Sequence, residues 1–209
     1  MPYGYLGQNQ PNQTVSNSGV FSITDVAELQ SQGKLGGSLE LIEEQTVSGV
    51  SAVDFTNLGN YNVHFLAINN YQPATDNTSM LIRLSDDGGS TYESSNYQWA
   101  HQQIYAPTEV FEYRSTSATS LEINRENGTG TNENGNAYVY LYNLENSSKY
   151  SFTTSQSTQA TKFSGQLAMQ YGGGVYAVSS SINAFRVLSS SGNLSATAKL
   201  YGVKQIWVT

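Results

Sequence analysis

A chain of 209 residues with only 12% charged side chains, a formal net charge of -7 and no cysteine excludes several classes of function at once. Nine Lys and Arg scattered from Lys34 to Lys204 cannot line a groove that tracks a phosphate backbone or hold an anionic bilayer, because both need clustered cations. Disulfides and thiolate metal sites are ruled out by composition, no apolar stretch approaches the ~18 residues of a membrane-spanning helix, and Met1-Pro2-Tyr3-Gly4-Tyr5 does not open like a secretory signal. The polarity comes instead from Ser, Thr, Asn, Gln and 19 Gly, which suits a solvated β surface better than a Lys- and Glu-rich helical one.

Residues 1–37 read as an irregular N-terminal arm. Tyr3, Tyr5 and Leu6 sit among Gly, Gln, Asn and Pro without helical or strand periodicity. One short helix is expected within it. Thr24 can cap it, Asp25 and Glu28 place negative charge in the first turn, and Phe21, Val26 and Leu29 form a small apolar face. These spaced apolar residues (Tyr3, Tyr5, Leu6, Phe21, Val26 and Leu29) are the expected partner-binding set.

Strand signals follow one another through 38–209, read as one β-sandwich domain. Leu39 and Leu41, then Val53 and Phe55, occupy alternate positions. Residues 61–70 are apolar on both faces, which predicts a central strand covered on both sides. In 79–85, Met80, Ile82 and Leu84 point inward and Arg83 outward. Further strands are expected at 110–113, 120–124, 137–143, 149–155, 163–171, 182–188 and 196–203. Val139 and Leu141 oppose Tyr138, Tyr140 and Tyr142. The loop 127–136 holds nothing apolar and is expected to be exposed. Gly172-Gly173-Gly174 is expected to mark a tight turn or a close backbone approach. Roughly ten to twelve short strands separated by Gly, Asn and Ser clusters are the spacing of an all-β antiparallel sandwich. A jelly roll with additional edge strands fits best.

The sharpest motif is Ser85-Asp86-Asp87-Gly88-Gly89-Ser90-Thr91-Tyr92, an Asp-box. Ser85, Asp87, Gly89, Thr91 and Tyr92 are expected to build a structural hairpin: the carboxylate accepts turn amides, glycine takes positive φ, and the ring packs beneath. A single box on a chain with four Arg does not make a sialidase. Glu43 and Glu44 point to opposite faces of a strand, and Glu109, Glu112, Glu122 and Glu126 show no pairing pattern for glycosidase chemistry. His64 and His101 are the only imidazoles, too few for a three-histidine zinc site, and His64 reads as a satisfied core residue. No catalytic residue, cofactor or metal is assigned. Tyr97 with Trp99, and Tyr138, Tyr140 and Tyr142, are open to three readings: subunit interface, ordinary packing or glycan platform.

The order of pieces resembles small virion structural proteins of tailed bacteriophages. The likeness is carried by Gly33-Lys34-Leu35-Gly36, Leu39-Glu40-Leu41-Ile42, Val50 through Phe55, Tyr61 through Phe65, the Asp-box and Thr197 through Val203. The resemblance implies a non-enzymatic β domain displayed on the particle and attached through its N-terminal segment. It implies a homo-oligomer, often a trimer, whose partners are the major capsid protein or tail proteins. It implies assembly in the host cytoplasm and residence in the virion, as a capsid decoration (cement) protein or, alternatively, a tail-fibre or receptor-binding module for host surface glycans. No nucleic acid or membrane is expected as a partner.

Overall fold

The computed structural model describes residues 23, 24, 26, 27, 38–107, 109–163 and 165–204. The chain divides into two units, Met1–Glu40 and Leu41–Thr209. In the first, Ile23, Thr24, Val26 and Ala27 are helical. Thr24 therefore lies inside the short helix rather than at its cap, and Ile23 and Val26 are exposed. The other expected arm contacts, Tyr3, Tyr5, Leu6, Phe21 and Leu29, lie outside the described residues.

The β domain is built from twelve strands: β1 Leu39–Val50, β2 Ala52–Phe55, β3 Val63–Pro73, β4 Thr78–Ser85, β5 Tyr97–Tyr105, β6 Val110–Ala118, β7 Leu121–Asn127, β8 Gly135–Tyr142, β9 Ser151–Ala160, β10 Leu167–Tyr176, β11 Ala184–Ser189 and β12 Leu194–Val203. Alternation sets their faces. In β12, Leu194, Ala196, Ala198 and Leu200 are buried while the residues between them are half-exposed; β4 repeats the pattern with Met80, Ile82 and Leu84.

The strands form two antiparallel sheets packed as a sandwich. The large sheet runs β1-β12-β3-β8-β9-β10-β5-β6 and the small one β2-β11-β4-β7. Setting aside the hairpins β5–β6 and β9–β10 leaves β1-β12-β3-β8 over β2-β11-β4-β7. Numbered one to eight along the chain, these are 1-8-3-6 over 2-7-4-5, the order of a jelly roll. The two hairpins are insertions. They pair with each other through β10 and β5, and β9 pairs with β8, so together they lengthen one sheet by four strands. The apolar core lies in the jelly-roll half, where Phe55 stacks on Phe185 at 5.0 Å among Leu66, Ile68, Met80, Ile82, Leu84 and Leu200, all fully buried. Each such side chain stabilises the fold by about 1.5–3 kcal/mol.

The second half of the sandwich is packed differently. β9 and β10 lie beneath β7, and their inward residues Ser157, Gln159 and Gln170 are buried but polar. Gln170 and Gln159 donate to the Ile123 and Arg125 carbonyls of β7 at 2.9 and 3.0 Å. β7 is the last strand of the small sheet, so glutamines of one sheet satisfy the open edge of the other.

Several sequence expectations are corrected. β5 was not foreseen, because its inward residues include His101 and Gln103 and so it lacks an apolar alternation. β3 is internal to the large sheet but covered on one face only, since Val63, Phe65 and Ala67 remain half-exposed. The glycine triplet makes no turn; it lies inside β10. The close-approach alternative holds: a Cβ on Gly172 would meet the Ala100 carbonyl at 2.3 Å, and one on Gly174 would meet Leu121 at 2.5 Å. Loop 127–136 is exposed only at its tip, for Asn127, Gly128 and Gly135 are buried. Asn127 donates to the Thr78 carbonyl at 2.9 Å.

Candidate functional site

β6 is an edge of the large sheet and β7 an edge of the small one, and β7 meets the inner face of β5 and β6 through Glu122 and Arg125. The inward side chains there are mostly aromatic, and they form a continuous row. Trp99 stacks on His101 at 4.8 Å, His101 meets Tyr113 at 5.6 Å, Tyr113 meets Phe111 at 6.1 Å, Phe111 meets Tyr105 at 5.6 Å, and Tyr105 meets Phe163 at 6.4 Å. Strand pleating produces the row: residues two apart share a face, and His101 lies opposite Tyr113, Gln103 opposite Phe111. Phe163 comes from the turn between β9 and β10.

At the outer end the row floors a cleft of about 350 Å³ lined by Tyr105, Pro107, Glu109, Phe111, Tyr113, Glu126, Phe163 and Gln166. Its polar wall is β7. Glu126 accepts a hydrogen bond from the Tyr105 hydroxyl and pairs with Lys162 at 3.1 Å. Lys162 in turn lies 4.8 Å over the Phe163 ring. One residue earlier, Arg125 lies 4.1 Å over the Tyr113 ring and pairs with Glu122 at 3.2 Å. Glu126 has φ +58°, a left-handed conformation costing an L-residue about 1–2 kcal/mol.

Beneath this wall, His101 Nε2 is 3.4 Å from Glu122 Oε1. Burial, and then the nearby Arg125 charge, hold the imidazole down to about 4. Burial raises the Glu122 carboxyl, against the pull of Arg125. The other histidine, His64, is buried as the sequence suggested, with Nε2 2.8 Å from the Leu58 carbonyl, but its Nδ1 has no hydrogen-bond partner among the described residues, so it is only half satisfied.

The opposite, outer face of the large sheet carries a second aromatic group. Tyr201 lies across from Phe65, Phe65 from Tyr140, and their rings are 6.0 and 5.0 Å apart. Tyr138 and Tyr142 flank Tyr140 on the same strand, at ring distances of 6.5 and 6.3 Å. Neutral neighbours hold the hydroxyls: Tyr138 donates to Gln156, Tyr171 donates to Gln102, and Tyr142 shares a 3.0 Å bond with Thr154. Tyr138, Phe152 and Tyr171 are each more than two-fifths exposed.

The expected residues are thus divided. Tyr138, Tyr140 and Tyr142 share the outer face. Trp99 lies at the inner end of the aromatic row. Tyr97 cannot be a surface contact: it is fully buried, its ring meets Tyr176 at 5.1 Å, and its hydroxyl accepts the Leu84 amide at 2.8 Å. The Asp-box has the expected interior. Asp87 accepts the Thr91 amide and hydroxyl at 2.9 and 2.7 Å and the Ser85 hydroxyl at 2.8 Å, while Gly88 and Gly89 take positive φ. Its setting differs from a hairpin, because β4 and β5 belong to different sheets; the box turns the chain across the sandwich. Tyr92 packs under the Arg186 guanidinium at 3.8 Å, which is held by two bonds of 2.9 and 2.8 Å to Asp54. Among the described residues, no group of three or more His, Asp or Glu is placed to hold a metal ion.

Sequence reading named Glu122, Glu126 and Glu109 without a pattern, and it missed Tyr105, Phe111, Tyr113 and Phe163 as a set. The one available signal was Phe111 and Tyr113 at alternate positions; the strand beside them went unrecognised. Comparison of the chain with protein-family models, curated proteins and solved structures gives no match.

Proposed function

We propose that this protein is a non-enzymatic structural component of a bacteriophage virion, a capsid decoration (cement) protein that works as a homo-oligomer. The observation that carries the reading is the outer face of the large sheet. Phe65, Tyr138, Tyr140, Tyr142, Phe152, Tyr171 and Tyr201 share this face, and the Tyr138, Tyr142 and Tyr171 hydroxyls are held by neutral partners. Exposed fields of this kind mark interaction surfaces, and tyrosine supplies large contact area at little entropic cost. Its occupant is a second copy of this chain. Copies with a net charge of -7 repel one another, and this face, whose charges include the Lys199–Glu44 pair and Glu112 beside Gln102, is where they can meet. Attachment to the shell falls to the N-terminal arm.

The test is stoichiometric. Purified particles should carry the protein in hundreds of copies, comparable with the major capsid protein, and a chain lacking residues 1–30 should fold without binding them. A few copies confined to the tail, or undiminished binding by the truncated chain, would reject the assignment.

A second reading is favoured by the aromatic row on the inserted hairpins: a tail-fibre or receptor-binding module for host surface glycans. Binding of the protein to the host envelope tests it.

A further inference from the structure

We infer that the cleft between Tyr105, Phe111, Tyr113, Phe163 and Glu126 is a carbohydrate site that takes neutral pyranose units, a proposal that rests on the glycan-receptor reading and gives it a location. The place is the first argument. A jelly roll closes with eight strands, and β5, β6 and the β9–β10 turn are additions to it. They carry six aromatic or imidazole rings in unbroken contact. β7 faces the Trp99 end of that row through Glu122 and Arg125, and its Phe111 and Phe163 end opens into the cleft.

The second argument is chemical form. A pyranose has an apolar face of axial C–H bonds and a rim of hydroxyls. It needs a ring to stack on and fixed polar atoms beside that ring. Phe111 and Phe163 are 38% and 47% exposed, so both rings reach solvent, with Lys162 over one face of Phe163. Glu126, Glu109 and Gln166 line the same cleft. Its volume of about 350 Å³ lies in the range of about 300–1,000 Å³ usual for small-ligand sites.

The third argument is backbone strain. Among the described residues, Glu126 is the only one besides glycine and asparagine with positive φ. Asparagine tolerates that region; glutamate does not. The twist turns the carboxylate toward Tyr105 and Lys162, and conformations of this cost gather at ligand sites, where the position of a side chain matters more than local stability.

Charge selects the ligand. Glu122 and Glu126 are already matched by Arg125 and Lys162. Those same two cations occupy the ring faces that a cationic ligand would seek. A net charge of -7 and the Glu109 carboxylate in the cleft lining disfavour nucleic acid, uronates and sialic acids. A neutral, hydroxyl-rich ligand remains.

The experiment uses the full chain on a printed array of oligosaccharides built from hexoses and N-acetylhexosamines, with uronate and sialic acid counterparts, followed by calorimetry on the strongest neutral hit. The expected result is binding to neutral glycans, weakened about tenfold or more in Phe111→Ala and Phe163→Ala and unchanged in Tyr150→Ala, an exposed ring outside both the cleft and the outer aromatic field. If either cleft variant fails to fold, aromatic NMR resonances of the wild-type protein replace it: those of Phe111 and Phe163 should shift on adding the hit, those of Tyr138 should not. Binding that survives both substitutions, or shifts confined to the outer face, overturns this site and leaves the receptor reading standing. Preference for acidic glycans overturns the charge argument and the proposal with it. No neutral glycan bound overturns the site, and absent binding to host envelope as well removes the receptor reading.

Discussion

Gln170 in β10 donates its side-chain amide to the carbonyl of Ile123 in β7 at 2.9 Å, so a residue of one sheet closes the edge of the other. Gln159 does the same for Arg125 at 3.0 Å. Removing either donor leaves a buried carbonyl short of a partner. Gln170→Leu and Gln159→Leu should each lower unfolding free energy by about 1–3 kcal/mol. Gln156→Leu, on the outer face, should change it by no more than about 0.5 kcal/mol. Urea midpoints measured on the three variants check this; equal losses in all three would show that the buried amides have no special role.

The glycines of β10 predict a graded response. A methyl group at Gly172 meets backbone and Cβ atoms of Ala100 and His101 at 2.3–2.6 Å, whereas at Gly174 the nearest atom is a side-chain methyl of Leu121 at 2.5 Å and the nearest backbone atom, the Gln98 carbonyl oxygen, is at 2.9 Å. Gly174→Ala should cost about 1–3 kcal/mol and Gly172→Ala more. Thermal melts of the two variants give the order, and a milder Gly172→Ala would mean that β5 shifts freely against β10.

Acid should weaken the fold through its histidines. An unfolded histidine titrates near 6.5, but His101 is held down to about 4 by burial and Arg125, and burial lowers His64 against its bond to Leu58. Between about pH 6.5 and pH 4 the unfolded chain therefore holds protons that the fold refuses, so stability falls as pH falls. Glu122, which faces His101, has the opposite sign: its raised carboxyl takes up a proton more readily in the fold and offsets part of the loss on acidification. His101→Gln should flatten the slope of urea midpoint against pH across this window. A wild-type slope in the variant would refute the assignment.

The Asp-box should fail at lower pH. The Thr91 amide and hydroxyl, with Ser85, hold the Asp87 carboxyl down to about 2. Its contribution is complete above the unfolded value near 3.9 and is lost as pH falls through about 2. Amide exchange at Thr91 should accelerate selectively over that interval, and Asp87→Asn should show the fast exchange already at neutral pH. Uniform acceleration along the whole chain would indicate global unfolding instead.

Legibility followed the nature of the buried face. β4, β8 and β12 bury aliphatic residues at alternate positions, so the sequence located them and set Tyr138, Tyr140 and Tyr142 on the face opposite Val139 and Leu141. β5, the far half of β9 and the glycine-rich end of β10 bury His, Gln, Ser and Gly. No hydrophobic period exists there, and the strands were missed or shifted. The candidate cleft stands on those strands, which is why its aromatic residues were not seen as a set.

Composition, periodicity and one local motif determined an all-β antiparallel sandwich, a polar surface poor in charge and an Asp-box whose carboxylate binds its own turn, because each depends on residue content or on residues near one another in sequence. Tertiary structure decided which sheet each strand joins, that two hairpins are inserted into a jelly roll, and that Tyr105, Phe111, Tyr113, Glu126 and Phe163 surround one cleft. Those are contacts between distant segments, fixed by packing and cross-strand register, and no local pattern encodes them.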